Sequence, residues 1–281
     1  MPRLLYIASL PHSGSTLLNL LVGNSPQMIG LGGIDRAMRM LLKDREKTAT
    51  ESCSCGSSVR DCVYWGEVLK RSESTRPKNL IDRYALALDT FESVFGPEKL
   101  PVDSSKIKEP IFELSSAKEL NLDLRVVHLA KDIRTATISM IDTKRRKKGT
   151  SRPGLIMGFE SAWRWWRENS KLQRCGEDTG VPLFNLGYEE LCLSFDRAFG
   201  ALCEFSGTSH DSEQSLRIGE STSHLFIGNR MRNEGEKAEL RYDYRWFTRS
   251  EWKLPLIMIP ALQRSNKRWV YSNGGDAAFK R

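Results

Sequence analysis

The chain has 281 residues, 40% of them hydrophobic and 28% charged, with a formal net charge of +8. This is globular composition; it excludes a disordered or fibrous chain, and no apolar run approaches the roughly 20 residues of a membrane span. The basic balance favours an anionic partner without choosing among nucleic acid, an acidic surface and a phosphorylated small molecule.

Residues 3–9 form an apolar, strand-length run that stops at Pro11, His12, Ser13 and Gly14. Leu17, Leu18, Leu20 and Leu21 then recur with helical spacing, so the opening reads strand, Gly/Ser turn, helix. A second strand is expected at 28–31, followed by the pair Gly32-Gly33. Residues 34–43 and 78–95 read as helices, and 101–103 as another short strand. Residues 124–129 are the clearest buried strand, with a helix over 133–143. A Trp-rich helix follows at 155–173, then a strand at 182–186 and mainly helical text from 188 onward. Strands alternating with helices imply a single α/β domain over 1–281, with a central parallel sheet of about five strands flanked by helices. Ligands of such sheets bind at the carboxyl ends of the strands.

The loop from Ser9 to Thr16 carries most of the chemistry. A small-residue turn feeding a helix aims several backbone N–H groups at one point, and the helix dipole adds positive potential there, which suits a phosphate or sulfate. The register is P-loop-like, but Ser9 replaces the first glycine of G-x-x-x-x-G-K-[ST] and Ser15 replaces its lysine. That lysine reaches the terminal phosphates of a nucleoside triphosphate, so a P-loop-type kinase is the weaker alternative. A plain reading of the same residues is a helix capped by Ser13.

Five segments in order resemble the sulfotransferases that use 3′-phosphoadenosine 5′-phosphosulfate (PAPS). They are His12-Ser13-Gly14-Ser15-Thr16-Leu17-Leu18, Val102-Asp103-Ser104-Ser105-Lys106, Leu129-Ala130-Lys131-Asp132-Ile133-Arg134 with Ser139, Gly187-Tyr188-Glu189-Glu190-Leu191, and Gly228-Asn229-Arg230-Met231-Arg232. The resemblance implies transfer of the sulfuryl group from PAPS to a hydroxyl, without a metal, leaving adenosine 3′,5′-bisphosphate. It implies that Ser13, Gly14, Ser15 and Thr16, with His12, hold the 5′-phosphosulfate. Lys131 and Ser139 would grip the 3′-phosphate. Tyr188, Asn229, Arg230 and Arg232 would close over the nucleotide, within a closing segment at 221–281. Lys106 is the candidate for contact with the sulfuryl or bridging oxygen.

The sequence departs from that family's pattern at three places. His12 stands where Arg or Lys is usual, and can donate a hydrogen bond or act as a base. Lys131 stands where Arg is usual, which keeps the charge and loses bidentate geometry. Gly33 stands where many members carry a glutamate base. Asp35 and His224 are substitutes to consider, so the base stays open, and a catalytically impaired nucleotide-binding relative is the alternative reading.

Two further features stand apart. The run Lys144-Arg145-Arg146-Lys147-Lys148 lies in a stretch, 143–155, expected to be a basic variable loop near the acceptor cleft. Cys53, Cys55 and Cys62 lie in an insertion at 45–75. They allow a zinc site, a disulfide or plain buried thiols, but a closed zinc site wants four ligands and only three are near in sequence. No metal is therefore assigned. The expected partner is a hydroxyl-bearing acceptor (carbohydrate, small molecule or peptide tyrosine) rather than nucleic acid, since no base-reading module appears. With no secretory leader pattern before Arg3, a cytoplasmic location is expected.

Overall fold

A computed structural model describes residues 1–149, 152–209, 223–228 and 240–272. Five strands form one sheet: β1 (Arg3–Ser9), β2 (Met28–Gly32), β3 (Leu100–Lys106), β4 (Asp123–Ala130) and β5 (Leu183–Gly187). Their order is β2-β3-β1-β4-β5, and every neighbouring pair is parallel. The expected architecture is the observed one.

A parallel sheet needs cover on both faces, and the strand residues divide accordingly. Along β1, Leu4, Tyr6 and Ala8 enter one core, shared with α2 (Ile34–Lys43), α4 (Trp65–Thr75) and α5 (Leu80–Phe95). Leu5 and Ile7 point the other way, into a core with α1 (Ser15–Val22) and α10 (Phe195–Ser206). This period of two places each side chain on a covered face, so the strand reads as an unbroken apolar run. The short helices α3 (Arg45–Ala49) and α9 (Tyr188–Leu193) and the helix α6 (Glu109–Ser116) complete the connections.

Helix ends follow local chemistry. At α5, Asn79 accepts from the Asp82 amide while the Asp82 carboxylate accepts from the Asn79 amide, a reciprocal capping box. At α7 (Ile133–Lys148), Asp132 caps the Arg134 amide, and Gly149 ends the helix with a φ of 56°. The basic run at 144–148 is therefore the last turn of α7 rather than part of a loop. Cations complement the negative end of the helix dipole, and a glycine that adopts the left-handed conformation stops it. The Trp-rich helix α8 also runs longer than its apolar pattern, over Gly154–Thr179.

β1 sits at the centre of the sheet. From it the chain moves first toward β2 and β3, then crosses to β4 and β5 on the other side. The carboxyl end of β1 is thus the point where the strand order reverses, the place where open α/β sheets form a ligand crevice.

Candidate active site

The turn after β1 folds to leave a bare helix end. Gly14 is the N-cap of α1, with φ 92°, no side-chain cap bond and no acidic residue in the first turn. Capping by Ser13 does not occur. The first helical bond runs from the Leu18 amide to the Gly14 carbonyl at 2.9 Å, so the amides of residues 15–17 precede the intrahelical ladder. Ser13, Ser15 and Thr16 are buried around this end, and the buried Ser9 hydroxyl has no hydrogen-bond partner. Glycine is required at 14 for a second reason: a Cβ there would lie 2.4 Å from Cδ2 of Tyr188. The Tyr188 ring is packed on the loop, with its hydroxyl donating to the Arg241 carbonyl at 2.8 Å. Gly228 also touches the loop, since a Cβ on it would lie 3.6 Å from Thr16 Oγ1. The next residues of that motif, Asn229, Arg230 and Arg232, lie outside the described residues.

Two lysines flank this loop, one at the end of each strand beside β1. Lys106 is the last residue of β3, pairs in register with Ala8, and has a φ of 76°. Lys131 follows β4 directly. His12, in the loop between them, is also left-handed, with φ 69°. Non-glycine residues in that region are held there by their surroundings, and such strain gathers at functional sites. Burial lowers the pKa of Lys106, with Arg36 adding repulsion. Lys131 instead forms an ion pair with Asp243 at 3.0 Å, with only 11% of its side chain exposed, and its ammonium lies over the Tyr188 ring, 5.2 Å from the centroid. Ser139 shares one face of α7 with Thr135 and Asp142, and those two residues bond Asp243 and Arg245. Lys131 and the first residue of that face, Thr135, thus meet at Asp243.

Beside the loop lies a cavity of about 570 Å³, lined by Ser9, His12 and Lys106 and, from α7, by Met140 and Thr143 among others. Its lining cations also include Lys108, Lys144, Lys147, Arg164 and Lys171; the acidic lining residues are Glu109 and Glu168. Partial desolvation, then Lys106, Lys147, Arg146 and Lys131, push the His12 pKa down, so its imidazole is neutral at pH 7.

The other two candidate bases are differently placed. Asp35 is buried, with Arg83 bonding one oxygen through Nε (2.9 Å) and Nη2 (2.7 Å) and Arg39 bonding the other at 2.7 Å. Its carboxylate is engaged by two guanidiniums and does not line the cavity. His224 is buried beside the cysteine insertion, with Nδ1 3.3 Å from Cys62 Sγ. At Gly33 a Cβ would meet Ser105 and Ile227 at 3.4–3.7 Å, ordinary contact distances.

Several residues organise the site in roles that sequence reasoning did not assign. Asp103 is fully buried and accepts from the Ile34 amide, the Ser105 amide and hydroxyl, and the Tyr84 hydroxyl. Burial raises its pKa to about 6. It ties the start of α2 to the turn that presents Lys106; its signals in the sequence were its place in the Val102–Lys106 segment and an acid inside an apolar strand. Glu189 receives the Asp132 amide at 2.7 Å, while its Oε1 is buried without a partner. Burial, then the nearby Asp132, push the Glu189 pKa up to about 7. Trp165 donates to the Lys131 carbonyl at 2.8 Å and fixes the end of β4. Among its neighbours on α8, Trp163 is exposed and packs on Trp166, with centroids 5.0 Å apart.

No family model matches the chain, and a search of curated proteins finds no match. Solved structures that the fold resembles include sulfotransferases. A sulfotransferase domain from the curacin biosynthetic pathway is 16% identical, with 78% of each chain covered and a TM-score of 0.48. One from the Synechococcus olefin synthase is 16% identical, covering 95% of this chain and 86% of the other, at a TM-score of 0.47. A sulfotransferase from Mycobacterium avium is 12% identical, covering 95% and 76%, at a TM-score of 0.46. Among the described residues, no helix is long and apolar enough to cross a membrane.

Proposed function

We propose that the chain transfers the sulfuryl group of PAPS to a hydroxyl of an anionic acceptor, releasing adenosine 3′,5′-bisphosphate. The observation that carries this reading is the pair Lys106 and Lys131 at the ends of the two strands flanking β1, with an uncapped, carboxylate-free helix N-terminus between them. That arrangement offers an anion site in the middle, a cation at each flank and a cavity beside it. The residues fit the donor: the unpartnered Ser9 hydroxyl and the amides of 15–17 are unspent donors for an acidic group. Ser15 in place of the Walker lysine disfavours a nucleoside triphosphate.

The bound donor supplies an activated sulfuryl group whose bond to the phosphate oxygen breaks as the acceptor oxygen bonds to sulfur. In-line displacement of this kind leaves the protein little covalent work and much positioning. The α1 N-terminus, with Ser13 and Thr16, holds the 5′ end. Lys131 and Ser139 hold the 3′-phosphate, which displaces Asp243 from Lys131. Lys106 offsets negative charge at the departing bridging oxygen. Neutral His12, facing the cavity, takes the acceptor's hydroxyl proton. The excess of cations along the cavity favours an acceptor that is itself anionic.

Calorimetric titration tests the donor site directly, with adenosine 3′,5′-bisphosphate, AMP and ATP–Mg²⁺ compared at low salt. The bisphosphate is expected to bind at least about tenfold more tightly than AMP, in keeping with one charge-assisted contact to the extra phosphate. Equal binding of the two, or preference for ATP–Mg²⁺, overturns the proposal.

A further inference from the structure

The insertion that separates α3 from α4 meets a distant part of the chain at one point. Cys53, Cys55 and Cys62 come from the insertion, and His224 from a segment more than 160 residues later; their ligating atoms all lie within 4.8 Å of one another. All six cysteines of the chain are free thiols. Three thiols and an imidazole are a soft donor set, and four protein ligands leave no open coordination position.

We infer that Cys53, Cys55, Cys62 and His224 form a structural zinc site. With Zn–S near 2.3 Å, the corners of a tetrahedron are about 3.8 Å apart, so four atoms within 4.8 Å need only small rotamer shifts to close on one ion. An iron–sulfur cluster spreads its ligands over two or more metal centres and needs a wider cage.

The surroundings hold each ligand in place, as outer-shell contacts of metal sites do. The Cys53 amide donates to the Ser57 carbonyl at 2.9 Å, and the Gly56 amide to the Cys53 carbonyl at 3.0 Å. Gly56 has a φ of 89°, and this tight turn brings Cys55 back beside Cys53. The Trp65 amide points at Cys62 Sγ, 3.5 Å away. His224 is fixed at both backbone ends, its amide donating to the Gly30 carbonyl and its carbonyl accepting from Trp65 Nε1, each at 2.7 Å. Its ring packs beside Phe95, with centroids 5.4 Å apart. Ser54 adds three bonds to residues 223–225. The ion would bind three thiolates and a neutral imidazole, so loading releases the thiol protons to solvent. Its role is to pin residues 223–228, which run to Gly228 against Thr16, onto the insertion.

The test is metal analysis of the full-length chain, purified with reductant and dialysed with and without added zinc sulfate. About one tightly held zinc per chain is expected. Cobalt substitution should give the intense visible bands of a tetrahedral thiolate site. Cys55 is exposed, yet should resist alkylation until a strong chelator is added. Cys62→Ser should lose the metal, and His224→Cys should keep it with a shifted cobalt spectrum. Less than about a tenth of an equivalent after zinc addition overturns the site, as does retention of full zinc in Cys62→Ser. So does a Cys53–Cys62 disulfide that persists in the native chain alongside rapid alkylation of Cys55. The metal content and the Cys55 reactivity are read on the native chain, so an unstable variant does not remove the test.

Discussion

Lys106 and Lys131 occupy equivalent places, at the carboxyl ends of the two strands that flank β1, yet their environments differ. Lys131 is largely covered and paired with Asp243, and lies over the Tyr188 ring. Lys106 forms no ion pair among the described residues, sits in a left-handed backbone conformation, and has its pKa lowered by burial. A paired lysine is a held charge, released when an incoming anion replaces its partner. An unpaired, partly desolvated lysine is a charge kept for the reacting group, where low dielectric makes it count for more. Under the proposed function, the contrast gives Lys131 a binding role and Lys106 a role in the chemistry.

The largest test of this division is Lys106→Ala. It should lower kcat by about 10²- to 10³-fold, as loss of one transition-state donor does, while calorimetric affinity for adenosine 3′,5′-bisphosphate changes little. A large loss of bisphosphate affinity with kcat preserved would reverse the two roles. His12→Asn comes next, with about a 10²-fold drop in kcat expected. His12 has its pKa lowered from 6.5, so activity should fall only as pH drops below that value, and the variant should lack that acid limb. A limb that persists in the variant assigns the proton to another group.

On the binding side, Lys131→Ala should weaken the bisphosphate by about tenfold or more and leave AMP unchanged, since only the extra phosphate loses its cation. Asp243→Asn should act in the opposite direction, tightening the bisphosphate several-fold by freeing Lys131; tighter AMP binding as well would mean that the effect is not specific to the 3′ position. The smallest effect is on stability. The folded-state pKa of Glu189, about 7, lies above its ordinary value of 4.5, so folding favours the protonated form. Its contribution is complete below pH 4.5 and is lost as pH rises through 7. Glu189→Gln should therefore raise Tm at pH 8 by about 2 °C or more and flatten the fall between pH 5 and 8. Asp103, raised to about 6, leaves part of that slope in place. An unchanged slope would show that another group carries it.

The sheet was legible because strands buried on both faces must be continuously apolar, and helices must carry the returns; β1 and β4 follow from that requirement alone. The anion loop was legible for the same local reason, since small residues between a strand and a helix leave amides bare. Asp35 shows the limit of such reading. Its position two residues after Gly33 allowed it to replace a missing carboxylate, but Arg83, 48 residues away in sequence, is what occupies it. The partner of Lys131, Asp243, is likewise invisible from residue 131.

By itself, then, the sequence determined the fold class and the loop, because hydrophobic period and turn chemistry are local properties; the two lysines stood out only through the resemblance of their motifs. Tertiary structure decided which charges are spent and which are kept, because pairing depends on neighbours that the chain supplies from far away. It also decided the cysteine insertion: three thiols within ten residues make an incomplete set, and only the folded chain brings His224 to the fourth position.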